Sequence, residues 1–208
     1  MDYIVDNTIT YESLADAYEN NVSKYLYSTK KAINFFTPNI TTGKEILDIG
    51  CGVGLATELL SQQGFKLTSI DISPKMVKYT KNRNPNSNVI TGDFLKYKFK
   101  HKFDAIFAMA FIHLFPKEAA ELVLRKMNAL LNNDGALFIG TTLSNISTEG
   151  LEVKKDSFFP NGKWKRYRKH WTEEELLSSL QKERFKFKQK YYINDPRKKV
   201  WIGLLVLK

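Results

Sequence analysis

The chain has 208 residues, of which 43% are hydrophobic and 26% are charged, and it carries a formal net charge of +10 at neutral pH. This length and composition predict one globular domain over residues 1–208 with a sizeable core. Because no stretch approaches the roughly 18 consecutive apolar residues of a membrane span, the membrane-spanning class is excluded. The single cysteine excludes an internal disulfide and a zinc site built from cysteines.

The N-terminus and the net charge bear on location and partners. Residues 1–3 show neither the basic nor the apolar segment of a signal peptide, so we expect a cytoplasmic protein. A charge of +10 would attract RNA or an acidic small molecule. The lysines are spread along the chain, however, which favours an ordinary basic surface. No metal site is visible in the sequence, which also leaves open whether the protein is a monomer or a homodimer.

Residues 10–36 carry a helical pattern. Apolar side chains recur there at three- and four-residue steps, which predicts an amphipathic face. The pair Asn20 and Asn21 interrupts the pattern, so we expect two helices. Together they would form an N-terminal helical cap over residues 1–40.

The most informative stretch joins a strand, a glycine-rich turn and a helix. An apolar run over Glu45–Ile49 predicts a buried strand. Gly50, Gly52 and Gly54 follow it and open a helix predicted over residues 55–63. Glycine tolerates positive φ and lets a ligand lie against the backbone, and the helix N-terminus offers unpaired N–H groups to that ligand. This arrangement predicts a nucleotide-type site.

The glycine spacing distinguishes between known nucleotide loops. A phosphate-binding loop needs a lysine after its last glycine, and Leu55 stands there instead. The dinucleotide pattern G-x-G-x-x-G/A fails in either frame, because Leu55 and Thr57 occupy its last position. The pattern that fits is D-x-G-x-G-x-G, which begins at Asp48.

Strands and helices then alternate, which is typical of a parallel sheet covered on both faces. Strands are predicted over residues 66–70, 88–91, 103–109 and 136–140, and helices over residues 75–82 and 116–131. Ser73 and Pro74 have the types expected at the N-cap and first position of the former helix. The latter helix is expected to bury a stripe formed by Leu122, Val123, Met127, Leu130 and Leu131.

An acidic residue ends the second predicted strand. Asp71 lies 17 positions after Gly54 in the sequence. At such a strand end a carboxylate can accept both ribose hydroxyls of an adenosyl group, as the acid about 20 residues on does in the dinucleotide fold. Asp71 is therefore predicted to bind a ribose.

The regular pattern stops at residue 141 and resumes near residue 172. We expect an irregular segment in between, and loops of this length are usually functional or disordered. Thr172 and Glu175 have the spacing of a capping box, which predicts a helix to about residue 182. Alternating and apolar runs over residues 185–193 and 200–207, with a turn at residues 195–198, then predict a hairpin.

Taken in order, these motifs resemble the class I S-adenosylmethionine-dependent methyltransferases, in their small-molecule branch. The resemblance covers residues 45–142 and includes the glycine loop, Asp71, Gly92-Asp93-Phe94 and residues 103–107 and 131–137. It implies an α/β, Rossmann-like fold: a seven-stranded, mostly parallel sheet with a C-terminal antiparallel hairpin and helices on both faces. Residues 45–142 would form the cofactor-binding core, residues 143–171 a substrate-covering insertion, and residues 172–208 the last helix and hairpin.

The resemblance also implies a cofactor, S-adenosylmethionine, with S-adenosylhomocysteine as product. Asp93 would accept a hydrogen bond from the adenine amino group, and Phe94 would offer its backbone N–H or its ring. Tyr11 and Tyr18 resemble a motif that closes over the methionine end; the alternative is that both pack on the sheet. The residues expected to bind the cofactor are Tyr11, Tyr18, Asp48, Gly50, Cys51, Gly52, Asp71, Ile72, Met76, Asp93, Phe94, Ala108 and Met109.

Two acceptor classes lack their motifs. Methylation at carbon-5 of cytosine needs a cysteine near the fourth strand, and Cys51 lies in the glycine loop. Amino methylation of adenine or glutamine resembles an Asn/Asp-Pro-Pro-aromatic motif after that strand, where residues 108–114 read AMAFIHL. His113 instead resembles a histidine near the acceptor in small-molecule enzymes. It is either a general base, with an unperturbed imidazole pKa near 6.5, or a residue that only shapes the pocket.

The segment before residue 172 is expected to cover the acceptor. Its aromatic side chains would bury a planar molecule and its cations would recognise an acid group. The residues expected to bind this acceptor are Tyr18, His113, Trp164, Arg166, Arg168 and His170. The sequence thus predicts methyl transfer to an oxygen or nitrogen of a small molecule, with acidic and aromatic compounds as the candidates.

Other functions stay open at this point. Basic and aromatic residues interleave over residues 163–170, a pattern that also suits RNA. The same segment would serve a protein substrate, or it is a solvated loop. A non-catalytic, cofactor-binding regulatory protein is a further alternative. Since no RNA-binding module accompanies the basic segment, the small molecule is favoured.

Overall fold

The computed structural model describes residues 3–153, 164–194 and 200–208. The helices are α1 (Tyr3–Asn20), α2 (Leu26–Phe36), α3 (Leu55–Gln62), α4 (Pro74–Arg83), α5 (Lys117–Leu130) and α6 (Glu173–Lys182). The strands are β1 (Glu45–Ile49), β2 (Lys66–Asp71), β3 (Asn88–Thr91), β4 (Phe103–Met109), β5 (Leu131–Leu143), β6 (Thr148–Val153), β7 (Lys165–His170), β8 (Lys186–Asn194) and β9 (Val200–Leu207). Within these residues no helix is long and apolar enough to cross a membrane.

A seven-stranded sheet forms the centre of the fold. Its strand order is β3-β2-β1-β4-β5-β9-β8, and β6 pairs with β7 in a separate two-stranded sheet. The first five strands in this order run parallel, while β9 pairs antiparallel with both β5 and β8. The expected mostly parallel sheet with a C-terminal antiparallel hairpin is confirmed. Residues 195–198, where a turn is predicted, lie outside the described residues.

Apolar clusters bury both faces of the sheet. On one face, β1, β4 and β5 pack against α5 and α6, with Val123 and Leu176 fully buried. On the other face, α2 and α3 pack against alternate residues of the same strands, with Phe36 and Leu60 fully buried. Because a strand presents successive side chains to opposite faces, continuous apolar runs such as β4 serve both layers.

Strand order creates a crevice at one edge of the sheet. From β1 the order runs to β2 and β3 on one side, and to β4 and β5 on the other. The connections that leave the carboxyl ends of β1 and β4 therefore diverge, and ligands in open α/β sheets bind at this point of divergence. The glycine turn at residues 50–54 follows β1 and lies at this edge.

The N-terminal segment forms two helices, as predicted, but the first begins earlier. α1 starts at Tyr3, not near residue 10, and a short 3₁₀ turn over Val22–Tyr25 separates it from α2. The earlier start matters for the site, because the first turns of α1 contribute side chains to the main cavity.

The segment before α6 is more regular than expected. Thr148–Val153 and Lys165–His170 form the antiparallel pair β6–β7, so the prediction of an irregular stretch is wrong for these residues. A bridge between Leu143 and Trp171 attaches this pair to the end of β5. At the start of α6, the Thr172 hydroxyl accepts the Glu175 N–H at 3.2 Å, as the capping box predicts.

Candidate functional site

A cavity of about 920 Å³ lies at the carboxyl ends of the parallel strands. Its wall on the β1–β3 side contains the glycine turn together with Asp71 and Asp93. Its wall on the β4–β5 side contains His113 and Thr142, and α1 and β7 complete the enclosure. The cavity is therefore acidic at one end and aromatic and basic at the other.

Two glycines in the turn are required for different reasons. Gly54 has φ +85°, and a Cβ there would lie 2.8 Å from Thr80 Cα, so close packing against α4 excludes any side chain. Gly52 has φ +54°, but a Cβ there would meet nothing within 4 Å. The open space in front of Gly52 belongs to the cavity, so a ligand can lie directly on this backbone.

Asp71, at the end of β2, is tied to that turn. Its Oδ2 accepts the Gly52 N–H at 2.9 Å and its Oδ1 accepts the Ser73 N–H at 3.0 Å. Burial raises the pKa of Asp71, and these N–H groups oppose the rise. Each carboxylate oxygen keeps a second lone pair, so the group can still accept ligand hydroxyls.

Asp93, after β3, has an acceptor atom without a donor. Its Oδ1 accepts the Leu95 N–H at 2.8 Å. Its buried Oδ2 has no hydrogen-bond partner among the described residues, and the Lys96 ammonium, at 3.8 Å, is beyond hydrogen-bond distance. A buried acceptor in this state is costly, and a ligand N–H would relieve the cost.

Buried acids also surround the cysteine of the turn. Asp48 Oδ2 accepts the Thr57 hydroxyl at 2.7 Å, and burial, with a smaller contribution from the charge of Asp71, raises the pKa of Asp48 to about 7. Burial and the charges of Asp71 and Asp48 raise the pKa of the Cys51 thiol well above its usual value. Cys51 is thus a small, unreactive part of the cavity wall.

α1 lines the cavity, and its middle is anchored to both α4 and β7. The Glu12 carboxylate accepts the Ser73 hydroxyl at 2.5 Å and the Lys75 N–H at 3.1 Å, at the N-terminus of α4. The neighbouring Tyr11 hydroxyl accepts a hydrogen bond from Arg166 on β7 at 3.1 Å. Tyr11 and Tyr18 both line the cavity, with their rings 6.1 Å apart.

Aromatic side chains form the far wall. Phe111 and Phe115 contact each other edge to face with centroids 4.8 Å apart, and Tyr3 of α1 packs on Phe115 at 5.9 Å. His113 is buried beside them, and its Nδ1 lies 3.0 Å from the Thr141 hydroxyl. Its ring also lies edge-on to Trp201, with centroids 6.5 Å apart. This wall suits a planar, largely apolar molecule.

Two arginines of β7 enter the same cavity. Arg166 and Arg168 alternate along the strand, so they share a face, and both are more than nine-tenths buried. Arg166 donates two hydrogen bonds to Glu152 Oε1, at 3.0 and 2.7 Å. Glu152 Oε2 pairs with His170 at 3.0 Å. Burial tends to raise the pKa of Glu152, but the hydrogen bond and charge of Arg166 outweigh it and lower that pKa.

Most residues predicted for the site line this cavity. They are Tyr11, Tyr18, Asp48, Gly50, Cys51, Gly52, Asp71, Ile72, Met76, Asp93, Phe94, Met109, His113, Arg166 and Arg168. Ala108 does not, because successive residues of β4 face opposite sides and Ala108 lies in the core while Met109 faces the cavity. His170 is also outside the lining, held by Glu152. Trp164 precedes the first paired residue of β7 and does not line the cavity either.

Sequence reasoning missed several residues of the lining. Among them are Tyr3, Asn7, Thr142 and Trp201, which come from the two ends of the chain and from the extended part of β5. Trp201 begins an apolar strand pattern, which indicates a core position and gives no sign of a ligand. No local pattern marks Glu152 as a site residue. It becomes the counter-ion of Arg166 because β6 pairs with β7 and places the two residues opposite each other.

A family profile described as a methyltransferase domain matches residues 46–135. This range contains the glycine turn, Asp71 and Asp93, all of which the structure brings to one cavity. These findings identify residues 46–135 as a methyltransferase domain and support the expected likeness to the class I S-adenosylmethionine-dependent methyltransferases.

Curated relatives agree with the methyltransferase assignment. An uncharacterised methyltransferase of Alkaliphilus oremlandii is 29% identical over 149 residues, which are 72% of this chain and 62% of the relative. A ubiquinone biosynthesis O-methyltransferase of Xanthomonas campestris pv. campestris is 30% identical over 105 residues, which are 48% of this chain and 43% of the relative. The chain thus spans less than two thirds of either relative's length.

Solved methyltransferase structures share the fold over almost the whole chain. Magnesium protoporphyrin IX methyltransferase from Synechocystis PCC 6803, with bound S-adenosylmethionine, has a TM-score of 0.77 at 15% identity and covers 100% of this chain and 98% of its own. The 1,6-didemethyltoxoflavin-N1-methyltransferase of Burkholderia thailandensis, with bound 1,6-didemethyltoxoflavin and S-adenosylhomocysteine, has a TM-score of 0.76 at 18% identity, covering 95% and 86%. At such low identities these matches establish the fold.

The cavity of this methyltransferase domain fits the family's cofactor, S-adenosylmethionine, on two observations. Asp93 Oδ2, which has no hydrogen-bond partner among the described residues, can accept an N–H donor such as the adenine amino group. The space in front of Gly52 is the cradle that a Cβ would fill. In the described ranges no group of three or more His, Cys, Asp or Glu side chains could hold a metal ion.

Proposed function

We propose that the protein transfers the methyl group of S-adenosylmethionine to an oxygen or nitrogen atom of a small, planar acceptor. The observation that carries the proposal is the cavity itself. One enclosure joins a strand-end acid pair suited to an adenosyl group to an aromatic wall suited to a planar molecule. A methyltransferase needs these two subsites side by side, because the acceptor atom must approach the methyl carbon directly.

Individual residues would divide the work of holding the cofactor. Asp71 would accept the ribose hydroxyls and Asp93 Oδ2 the adenine amino group. Ile72 and Met76 would pack on the adenine, and Gly52 would let the ligand lie on the backbone. Tyr11 and Tyr18 of α1 would cover it and exclude water, since α1 is anchored on α4 through Glu12.

Methyl transfer requires no covalent bond between the protein and the substrate. Bound S-adenosylmethionine supplies an activated methyl group: the acceptor lone pair forms the new bond to carbon as the carbon–sulfur bond breaks, and a thioether leaves. The chain's own part is to orient the acceptor and exclude water, which the aromatic wall and α1 do. His113, oriented through Thr141, is the cavity-lining group that would accept the proton lost by a hydroxyl or ring nitrogen.

The basic segment argues against an RNA acceptor. Arg166, Arg168 and Lys169 are each more than nine-tenths buried, and Trp171 is fully buried. Lys169 pairs with Glu175 at 2.9 Å, as Arg166 pairs with Glu152. Side chains committed in this way are not presented to an RNA backbone, which needs exposed cations and stacking platforms. The segment therefore supports a small-molecule pocket.

The test uses S-adenosylmethionine labelled in its methyl group. The purified protein is incubated with the labelled compound and a lysate of its source cells, and label is measured in the small-molecule, RNA and protein fractions. We expect label in the small-molecule fraction, and none with Asp71→Ala. Label confined to RNA or protein would overturn the acceptor class. Absence of measurable S-adenosylhomocysteine binding by calorimetry would overturn the proposal as a whole.

A further inference from the structure

The acceptor end of the cavity contains an arginine, Arg168, whose ion pair is longer and whose hydrogen bonds are fewer than those of its neighbour Arg166. Of the two buried arginines on β7, Arg166 is fully engaged by Glu152 and Tyr11. Arg168 is not. Its Nη1 lies 3.7 Å from Glu152 Oε1, beyond hydrogen-bond distance, and Glu152 already serves Arg166 and His170.

The hydrogen bonds of Arg168 are also incomplete. Its Nη2 donates to the Thr142 hydroxyl, a neutral acceptor that also lines the cavity. Its buried Nε has no hydrogen-bond partner among the residues described. Arg168 lines the cavity but is only 5% exposed, so solvent contacts only a small part of the side chain. A buried guanidinium is costly when its Nε donor is free and its nearest carboxylate, Glu152, lies 3.7 Å away and is shared with other cations.

The charges around Arg168 also favour a bound anion. Burial and the neighbouring charge of Arg166 lower the pKa of Arg168, which shows that the site disfavours the cation as it stands. The aspartates that line the cavity belong to the β1–β3 side: Asp48 lies in β1, Asp71 ends β2 and Asp93 follows β3. Among the described residues, Arg166, Arg168 and His170 thus share one carboxylate, that of Glu152.

We propose that Arg168 binds a carboxylate of the acceptor, so that this enzyme methylates aromatic acids or close relatives of them. The inference rests on the proposed function and deepens it. A guanidinium presents Nε and Nη donors in a fork that matches a carboxylate. Phe111, Phe115 and Trp201 line the same cavity and would enclose the ring that bears the acid.

A carboxylate in this cavity has two sources, and binding measurements separate them. The cofactor's methionine part also ends in a carboxylate, which 5′-methylthioadenosine lacks. We expect Arg168→Gln to bind both S-adenosylhomocysteine and 5′-methylthioadenosine as the unaltered protein does. A loss of about tenfold for S-adenosylhomocysteine alone would assign Arg168 to the cofactor and overturn the proposal.

The second arm uses benzoate and its neutral counterpart benzamide as probes on protein saturated with S-adenosylhomocysteine. We expect the unaltered protein to bind benzoate at least about tenfold more tightly than benzamide, as a charge-assisted pair predicts. Arg168→Gln should remove this preference and Arg168→Lys should keep part of it. Lys165→Gln, which removes the same charge from an exposed position of β7, should retain it.

Failure of the inference and failure of the proposed function differ in outcome. If the unaltered protein binds S-adenosylhomocysteine but shows no preference for benzoate, or the same preference after Arg168→Gln, only the carboxylate site is overturned. If it does not bind S-adenosylhomocysteine at all, the proposed function fails first. Binding of S-adenosylhomocysteine by the Arg168 variants also shows that they are folded.

Discussion

The carboxylate of Asp71 accepts the backbone N–H of Gly52 at 2.9 Å, so the end of β2 holds the turn that follows β1. The same carboxylate faces the cavity. Asp71 therefore both shapes the glycine turn and is available to a ribose, and its removal has two effects on one ligand.

We expect Asp71→Ala to weaken S-adenosylhomocysteine binding by about 100-fold, because charge-assisted hydrogen bonds and the turn geometry are lost together. Isothermal titration calorimetry measures this directly. Asp104→Ala is the matched control: Asp104 also accepts two hydrogen bonds, from the Glu45 N–H at 3.0 Å and from Asn132 at 2.9 Å, but it does not line the cavity. Equal affinity for the unaltered protein and Asp71→Ala would refute the ribose assignment.

The two glycines of the turn should respond differently to alanine. Gly54→Ala adds a Cβ that would lie 2.8 Å from Thr80 Cα, on top of the cost of a positive φ, so we expect it to lower the free energy of unfolding by roughly 3 kcal/mol or more. Gly52→Ala has room for its Cβ and should cost only roughly 1–2 kcal/mol.

For S-adenosylhomocysteine affinity we expect the opposite order, with the larger loss in Gly52→Ala. Gly52 lines the cavity, so we expect the added methyl group of this milder variant to lower S-adenosylhomocysteine affinity by more than about tenfold. Urea unfolding and calorimetry on the same preparations give both quantities. Full affinity in Gly52→Ala would show that the ligand does not lie on this backbone.

We expect Asp93 to determine which base the cofactor site prefers. Oδ2 is an acceptor without a donor, so the unaltered protein should prefer S-adenosylhomocysteine over S-inosylhomocysteine, which has an oxygen in place of the amino group, by about tenfold. In Asp93→Asn the Leu95 N–H keeps the amide oxygen on its side, which turns the amide NH₂ toward the cavity. We therefore expect the preference to reverse. An unchanged ratio of the two dissociation constants would remove Asp93 from the adenine subsite.

Burial of Asp48 predicts a specific pH dependence of stability. Its pKa is about 7 in the folded protein and 3.8 as the ordinary value, so the folded state holds an extra proton between these limits. The free energy of unfolding should therefore fall as pH rises from 4 toward 7, with a contribution from Asp48 on the order of 3 kcal/mol. Asp48→Asn should flatten this slope. Urea unfolding of ligand-free protein across the window decides it, and parallel curves for both proteins would contradict it.

The anchor of α1 should control how long the cofactor stays bound. Glu12 caps the N-terminus of α4 through Ser73 and the Lys75 N–H, a partly buried contact worth about 1–2 kcal/mol. We expect Glu12→Ala to raise the dissociation rate of S-adenosylhomocysteine by about tenfold, measured by stopped-flow displacement. Asp16→Ala removes only exposed contacts with Lys75 and Tyr79 and should change the rate less than about twofold. Equal effects of both would mean that α1 does not gate release.

Local signals in the sequence were sufficient for the central strands and for the helix caps. The apolar runs of β1 and β4 begin and end where predicted, because both are buried on both faces and need no distant information. The Ser73 hydroxyl accepts the Met76 N–H at 3.1 Å, as its position before Pro74 indicates. The buried face of α5 differs from the predicted one: Leu122, predicted to be buried, is half exposed, and Leu124 is buried.

Long-range pairing determines the parts that sequence reasoning missed. Arg166 and Arg168 were predicted to bind the acceptor, but the cations around them in the sequence also suited RNA or a solvated loop, and no local signal showed that they are buried. They are buried because β6 pairs with β7 and Glu152 becomes the counter-ion of Arg166. Tyr3 and Trp201 come from opposite ends of the chain and meet in one cavity. No local pattern encodes such meetings.

The single cysteine has a practical consequence. Cys51 is only 8% exposed, and its thiol pKa lies well above the usual value, so the reactive thiolate is scarce at neutral pH. We therefore expect maleimide reagents to label the native Cys51 only slowly. A cysteine introduced at Ile9, an exposed position on α1, would accept a fluorophore selectively and report the movement of that helix in real time.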